Sequence, residues 1–238
     1  MVRIKPHHRR VHVPDGFIDA PTSAVTGVVA AAAVAVSLRG ARRELDERTA
    51  PLAGLVAAFI FAVQMLNFWV LPGVSGHLLG GTLAVILVGP WVGALCVATV
   101  LIVQCVVLAD GGLTALGLSI FNMAILGTAV AYLLVASLLR ILPKNPSGIG
   151  TTAFIASVIG VVVASQGFVL QYWMGGTTDL SIGTIAATMA GVHTLIGIGE
   201  GLITATAVVT VAKVRPDLVY ALRRFHAPAA RDTVAVTA

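Results

Sequence analysis

Charge is scarce in this sequence. Asp, Glu, Lys and Arg make up 11% of its 238 residues, where ordinary soluble domains carry about 25%. Apolar residues reach 58%, and a soluble domain of that make-up lacks the polar residues to cover its surface. The composition therefore describes an all-α integral membrane protein. Three Trp and three Tyr leave little for an aromatic belt at the membrane interfaces. The two cysteines, Cys96 and Cys105, fall in one apolar run. Their nine-residue spacing places them on opposite faces of a helix, so they cannot bridge within it. They read as small apolar packing residues. A phosphate-binding Gly-x-x-x-x-Gly-Lys-Ser/Thr loop is missing, as are His-Glu-x-x-His and any evident nucleophile–base pair, which argues against an enzyme. The formal charge of +5 does not imply a nucleic-acid partner, because the basic residues lie between apolar spans, where topology accounts for them.

What is present is a series of apolar runs. A spanning helix needs about 20 mostly apolar residues, and about seven spans are expected: Ala20–Leu38, Ala50–Leu71, Gly76–Val88, Trp91–Ala109, Ala115–Leu139, Ile149–Trp173 and Ile182–Ala212. The third is short, and Gly89-Pro90 separates it from the fourth. The last is long enough to tilt, break or leave the bilayer. Arg39, Arg42, Arg43 and Arg48 follow the first span, Arg140 and Lys144 the fifth, and Lys213, Arg215, Arg223, Arg224 and Arg231 the seventh. The intervening loops carry no Lys or Arg. Cytoplasmic loops collect basic residues, so the sequence predicts a cytoplasmic C-terminus and an N-terminus outside.

Arg3, Lys5, Arg9 and Arg10 break this rule by falling on the outer side. No apolar core follows them to make a signal peptide. A misplaced start removes the conflict, since GTG codes for Val internally and for Met at initiation. Val11 then becomes the first residue and 1–10 a non-native extension. The expected organisation is a membrane metal-binding unit over 11–212 and a cytoplasmic basic tail over 213–238.

From Val11 the sequence reads Val-His-Val-Pro-Asp-Gly-Phe, followed by QMLNFWVLPGVSGHLLGGTLAVILVGPWVGAL (64–95), ADGGLTALGLSIFNM (109–123) and GVHTLIGIGEGLIT (191–204). In this order these motifs resemble the substrate-binding S components of cobalt and nickel energy-coupling-factor transporters, the CbiM/NikM family. Trp69 is a departure, standing where the pattern has proline. The resemblance implies that Co(II) or Ni(II) is transported, not held as a cofactor, across a bacterial or archaeal plasma membrane. It also implies a transmembrane coupling subunit, two cytoplasmic ATPases and, in some systems, a small accessory membrane subunit. An autonomous divalent-metal channel or permease is the alternative, although the sparse intramembrane polar residues do not mark a continuous path.

Carried over by position, the implied metal ligands are Val11 (as an initiator Met, through its amine), the amide nitrogen and imidazole of His12, and His77. The chemistry also stands alone. An amine followed by His closes fused five- and six-membered chelate rings through the shared amide nitrogen, fixing three nitrogens in one plane. His77 completes a square, a geometry that favours Ni(II) or Cu(II) and admits Co(II). Pro14 and Asp15-Gly16 supply a turn that folds the first residues back, towards a short outer loop carrying Ser75-Gly76-His77. A metal-bound imidazole usually donates its other N–H, and Gln64, Asn67 and Ser75 are the candidates to receive it. Asp15, Asp19, Asp110 and Asp179 make the outer face acidic, which concentrates cations, although each also suits a turn. His193 and Glu200, seven apart, share one helix face. Ionisable groups in a membrane are functional candidates, but this pair reads as a structural polar contact tying the last span to its neighbours. Small residues recur every four positions at Ala50, Gly54, Ala58 and Ala62, and again at Gly27, Ala31 and Ala35, and either row permits close helix packing.

Overall fold

The computed structural model describes residues 13–47, 49–71 and 74–225. Val11 and His12 lie outside the described residues, as do the 1–10 extension and the tail beyond 225. Five helical stretches are long and apolar enough to cross a membrane. They are α1 (Ala20–Ala41), α4 (Pro90–Leu108), the run Leu116–Leu138, α7 (Pro146–Gly175) and α8 (Ile182–Val214). The Leu116–Leu138 run consists of α5 (Leu116–Ser119), a π-helical stretch (Ile120–Leu126) and α6 (Gly127–Leu138). Helix α8 does not break. Its 33 residues are continuous and extend about 50 Å at 1.5 Å per residue, well beyond a hydrocarbon layer of about 30 Å.

The second and third apolar runs depart from the expected simple helices. Helix α2 (Thr49–Gln64) stops short, and strands β1 (Asn67–Leu71) and β2 (Val74–His77) form an antiparallel hairpin. Phe68, Trp69 and Val70 are strand formers, and a run this apolar does not reveal its period. The Ser-Gly-His segment is therefore no surface loop: every residue from Val74 to Leu79 is buried. Helix α3 (Gly81–Val88) has only eight residues, all of them buried. A short helix that is apolar all round belongs in a core, and α3 is the pin around which α2, α4, α6 and α7 assemble, through a cluster that includes Ile60, Ile86, Val97 and Val135. Gly80 begins α3 with φ 77°, a left-handed conformation that suits glycine. A Cβ there would also meet Ile60 at 2.7 Å.

The long helices pack through small residues, as expected where lipid offers no hydrophobic drive between helices. Gly197 and Gly201 of α8 face Val158 and Phe154 of α7, and a Cβ on Gly201 would lie 2.7 Å from the Phe154 ring. Both cysteines are buried and unbridged. Beyond α8, a short 3-10 turn (Pro216–Leu218) leads into α9 (Tyr220–Phe225).

Candidate metal centre

The turn around Pro14 is stitched between two loops. Gly112 N donates to Val13 O at 2.9 Å. Thr114 donates to Asp15 Oδ1 through its amide at 2.8 Å and its hydroxyl at 2.6 Å. On the other side the Thr177 hydroxyl donates to Gly16 O at 2.6 Å, and Asp19 N donates to Gly175 O at 2.7 Å. The Phe17 ring anchors the turn, 5.9 Å from Phe168 and 5.8 Å from Tyr172 between centroids. Gly16, at φ 77°, takes the left-handed position that an Asp-Gly turn calls for.

These contacts give two of the four acids at this end structural work. The Thr114 hydroxyl and then its amide hold Asp15 below its ordinary value near 3.8. A carboxylate with a depressed pKa contributes stability above its unfolded pKa and loses it as pH falls through the folded value. The Asp15 anchor is accordingly in place at neutral pH. Asp19 caps α1 by accepting from Thr22 N at 2.9 Å, the usual work of an acid at that position.

Beneath the turn lies a cavity of about 70 Å³, lined by Val13, Ser75, His77, Asn122, Met189 and His193 among others. His77 is 3% exposed, and its Nδ1 lies 2.5 Å from Leu78 O. A carbonyl only accepts, so Nδ1 carries the hydrogen, and in the neutral ring Nε2 carries the lone pair. A main-chain carbonyl thus receives the N–H for which Gln64, Asn67 and Ser75 were the candidates. Ser75 lines the cavity and its hydroxyl donates to Asn67 Oδ1 at 3.3 Å, across the hairpin that pairs Asn67 with His77. His193 Nδ1 lies 2.9 Å from Met189 O one turn back, leaving a lone pair on Nε2. A Cβ on Gly76 would come within 3.3 Å of that atom, so glycine makes the room in which the two histidines share one cavity.

Gln64 and Glu200 meet on one residue behind His77. Leu79 N donates to Glu200 Oε2 at 2.5 Å, and Gln64 Nε2 donates to Leu79 O at 2.8 Å. Both side chains are almost wholly buried. Non-helical backbone at membrane depth must find partners inside the protein, and this clamp supplies them from α2 and α8. Glu200 therefore ties the last span to the bend at Leu79, while His193 is spent on its own helix and on the cavity wall.

The sequence reading missed an amide pair, one member of which, Asn122, lines the cavity. Asn122, in the π-helical stretch, donates to Gln171 Oε1 at 2.8 Å and receives Gln171 Nε2 at 3.1 Å. Two lone amides in apolar runs were the available signal. Among the described residues, no group of three or more His, Cys, Asp or Glu side chains comes together to hold a metal.

An apolar helical bundle with a buried hairpin histidine beneath a folded-back amino-terminal turn is a multi-pass membrane protein built around a small cavity that two histidines line. A crystal structure of a transition metal transporter shares this fold, with a TM-score of 0.79 at 24% identity, over 90% of this chain and 97% of that one. The chain belongs to the CbiM family, described as the cobalt uptake substrate-specific transmembrane region, whose profile matches residues 12–218. An Archaeoglobus fulgidus protein provisionally named as the fused nickel transport protein NikMN is 37% identical over 209 residues, 88% of this chain and 68% of its own length. The Sorangium cellulosum cobalt transport protein CbiM is 28% identical over 215 residues, 87% of this chain and 94% of its own.

The clamp makes a testable demand. Glu200→Leu strands the Leu79 N–H without an acceptor, at a cost of about 1–3 kcal/mol, and should lower both the melting temperature in detergent and the affinity for nickel. Glu200→Gln keeps an accepting oxygen and should recover most of both. Parent-like melting and affinity in the Leu variant would remove the clamp from the account of the site.

Proposed function

We propose that this chain is the substrate-binding membrane subunit of an energy-coupling-factor transporter for Co(II) or Ni(II). It captures the ion outside a bacterial or archaeal plasma membrane and passes it inward with ATPase-driven partners. One observation carries the reading: Val13, the residue directly after His12, lines the same cavity as buried His77. In this reading an amine at position 11, the amide nitrogen and imidazole of His12 and the His77 Nε2 form a square of nitrogens, a geometry suited to Ni(II) and open to Co(II). The metal-transport names of the relatives support the substrate class.

The proposed topology has an outer N-terminus and a cytoplasmic C-terminus. Seven crossings follow if α2 with β1, and β2 with α3, each count as a short composite span beside the five long ones. Residues 11–212 form the metal-binding unit and 213–238 a cytoplasmic basic tail, and 1–10 take no part in capture. The partners are a transmembrane coupling subunit and two cytoplasmic ATPases, with a small accessory membrane subunit in some systems. A relative named as a fused transport protein supports a multi-component system. On α2, Ala50, Gly54, Ala58 and Ala62 are all exposed, which supports this face as the one that meets a partner helix. The rival row on α1 is partly occupied, since Gly27 packs against Gly117.

Topology is read by single-cysteine labelling. An impermeant external reagent should modify Asp179→Cys in intact cells and leave Arg223→Cys untouched, and the reverse pattern would invert the orientation.

Ligation is read by nickel titration and visible spectra. A chain starting with Met at position 11 should bind far more tightly than one starting at Met1, and only the former should show the absorption band of planar nickel with amide-nitrogen ligation. Because His77 is buried, His77→Gln, which keeps much of the side-chain volume, is the suitable variant, and it should abolish tight binding. A planar spectrum from the chain starting at Met1, or unchanged affinity in His77→Gln, would overturn the ligand set.

A further inference from the structure

At the other end of α1, roughly 30 Å from the metal cavity at 1.5 Å per helical residue, two adjoining cavities open between α1, α4, α6 and α9. One, of about 350 Å³, is lined by Arg39, Arg43, Glu44 and Arg224 together with Trp91 and Tyr220. The other, of about 440 Å³, shares Trp91, Tyr220 and Arg224 and continues along Ala94, Ile125, Ala129 and Leu133. A cationic compartment thus opens into an apolar one, with two aromatic residues at the join.

The charges in the first compartment are unevenly committed. Glu44 Oε2 accepts from the α4 amides of Trp91 at 3.2 Å and Val92 at 3.1 Å, so its charge is turned onto a helix N-terminus. Among the described residues, Arg39, Arg43 and Arg224 form no ion pair. Trp91 is held flat against α1 because residue 40 is glycine: a Cβ there would meet the indole ring at 2.5 Å. The wall between the compartments is therefore fixed by packing from below and by Glu44 from the side.

We propose that this pair of cavities is a binding site for an anionic phospholipid. Its phosphate lies among Arg39, Arg43 and Arg224, and an acyl chain runs past Trp91 along Ala129 and Leu133. Three guanidinium groups against one committed carboxylate match a headgroup of net negative charge. They repel the choline ammonium of a zwitterionic one. Basic pockets between membrane helices suit such headgroups, and tryptophan suits the level at which headgroup meets chain. A free phosphate would fill the first compartment and leave the apolar one empty, so the lipid accounts for both.

The test uses the full chain in detergent, with native mass spectrometry counting retained phosphatidylglycerol or phosphatidylcholine. The parent should retain phosphatidylglycerol selectively. Replacing the three arginines together (R39Q/R43Q/R224Q) should weaken that retention by about tenfold or more, with phosphatidylcholine unchanged. Ala129→Phe fills the apolar compartment with every arginine in place, and should also lose phosphatidylglycerol. If the triple variant does not fold, Ala129→Phe decides alone. Equal retention of the two lipids by the parent, or parent-like phosphatidylglycerol binding by Ala129→Phe or by a folded triple variant, would overturn the site. Displacement of the lipid by millimolar inorganic phosphate would replace it with a free-anion site.

Discussion

Backbone amides inside a bilayer have no water to turn to, and that constraint governs this structure. Most of the chain meets it with helices. The exception is the stretch from Val74 to Gly80, which carries the candidate metal histidine through the buried interior as a strand and a bend. The hairpin satisfies part of its main chain by pairing with β1. Leu79, beyond the last strand pair, relies on Gln64 and Glu200. Two of the few polar side chains in the spans are thus spent on one residue, two positions from His77. A buried irregular segment is costly, and here it brings the His77 imidazole into the cavity that His193 of α8 also lines.

The same economy explains which parts of the fold were legible in the sequence. Long apolar runs bounded by Pro, Gly or basic residues gave α1, α4 and α8 to within a few residues. The Asn145-Pro146 pair, an N-cap followed by a proline at the first helical position, marked the true start of α7 three residues before the expected one. Residues 67–71 misled because β1 is apolar after Asn67, with Phe68 and Trp69 exposed and Val70 and Leu71 buried, so the residue types show no alternation and its period vanishes. Pro72-Gly73, a turn signal, lay directly after that stretch. For the site, the turn at Pro14 and the histidine at 77 were visible as chemistry. The partnership of Asn122 with Gln171, and that of Gln64 with Leu79, join residues far apart in the chain, and only the folded molecule brings them together.

The two ends of the bundle follow different rules. At the amino-terminal turn the carboxylates are structural: Asp15 and Asp19 stay ionised while their oxygens are engaged in a turn and a helix cap. At the arginine end, Arg39, Arg43 and Arg224 form no ion pair among the described residues and surround an apolar recess with tryptophan and tyrosine at its rim. One end covers a small cavity lined by two histidines, and the other opens to its surroundings.

Helix α2 joins these concerns in one rod. Its outward side, from Ala50 to Ala62, is smooth, and its last residue reaches inward to grip Leu79. A force applied along that side has a short route to His77, through a single hydrogen bond from Gln64 to Leu79 and two peptide units. Sliding α2 by even an ångström relative to α8 cannot leave both grips on Leu79 at their present lengths. In the proposed reading, the spacing of α2 and α8 therefore bears directly on the ion's seat at His77.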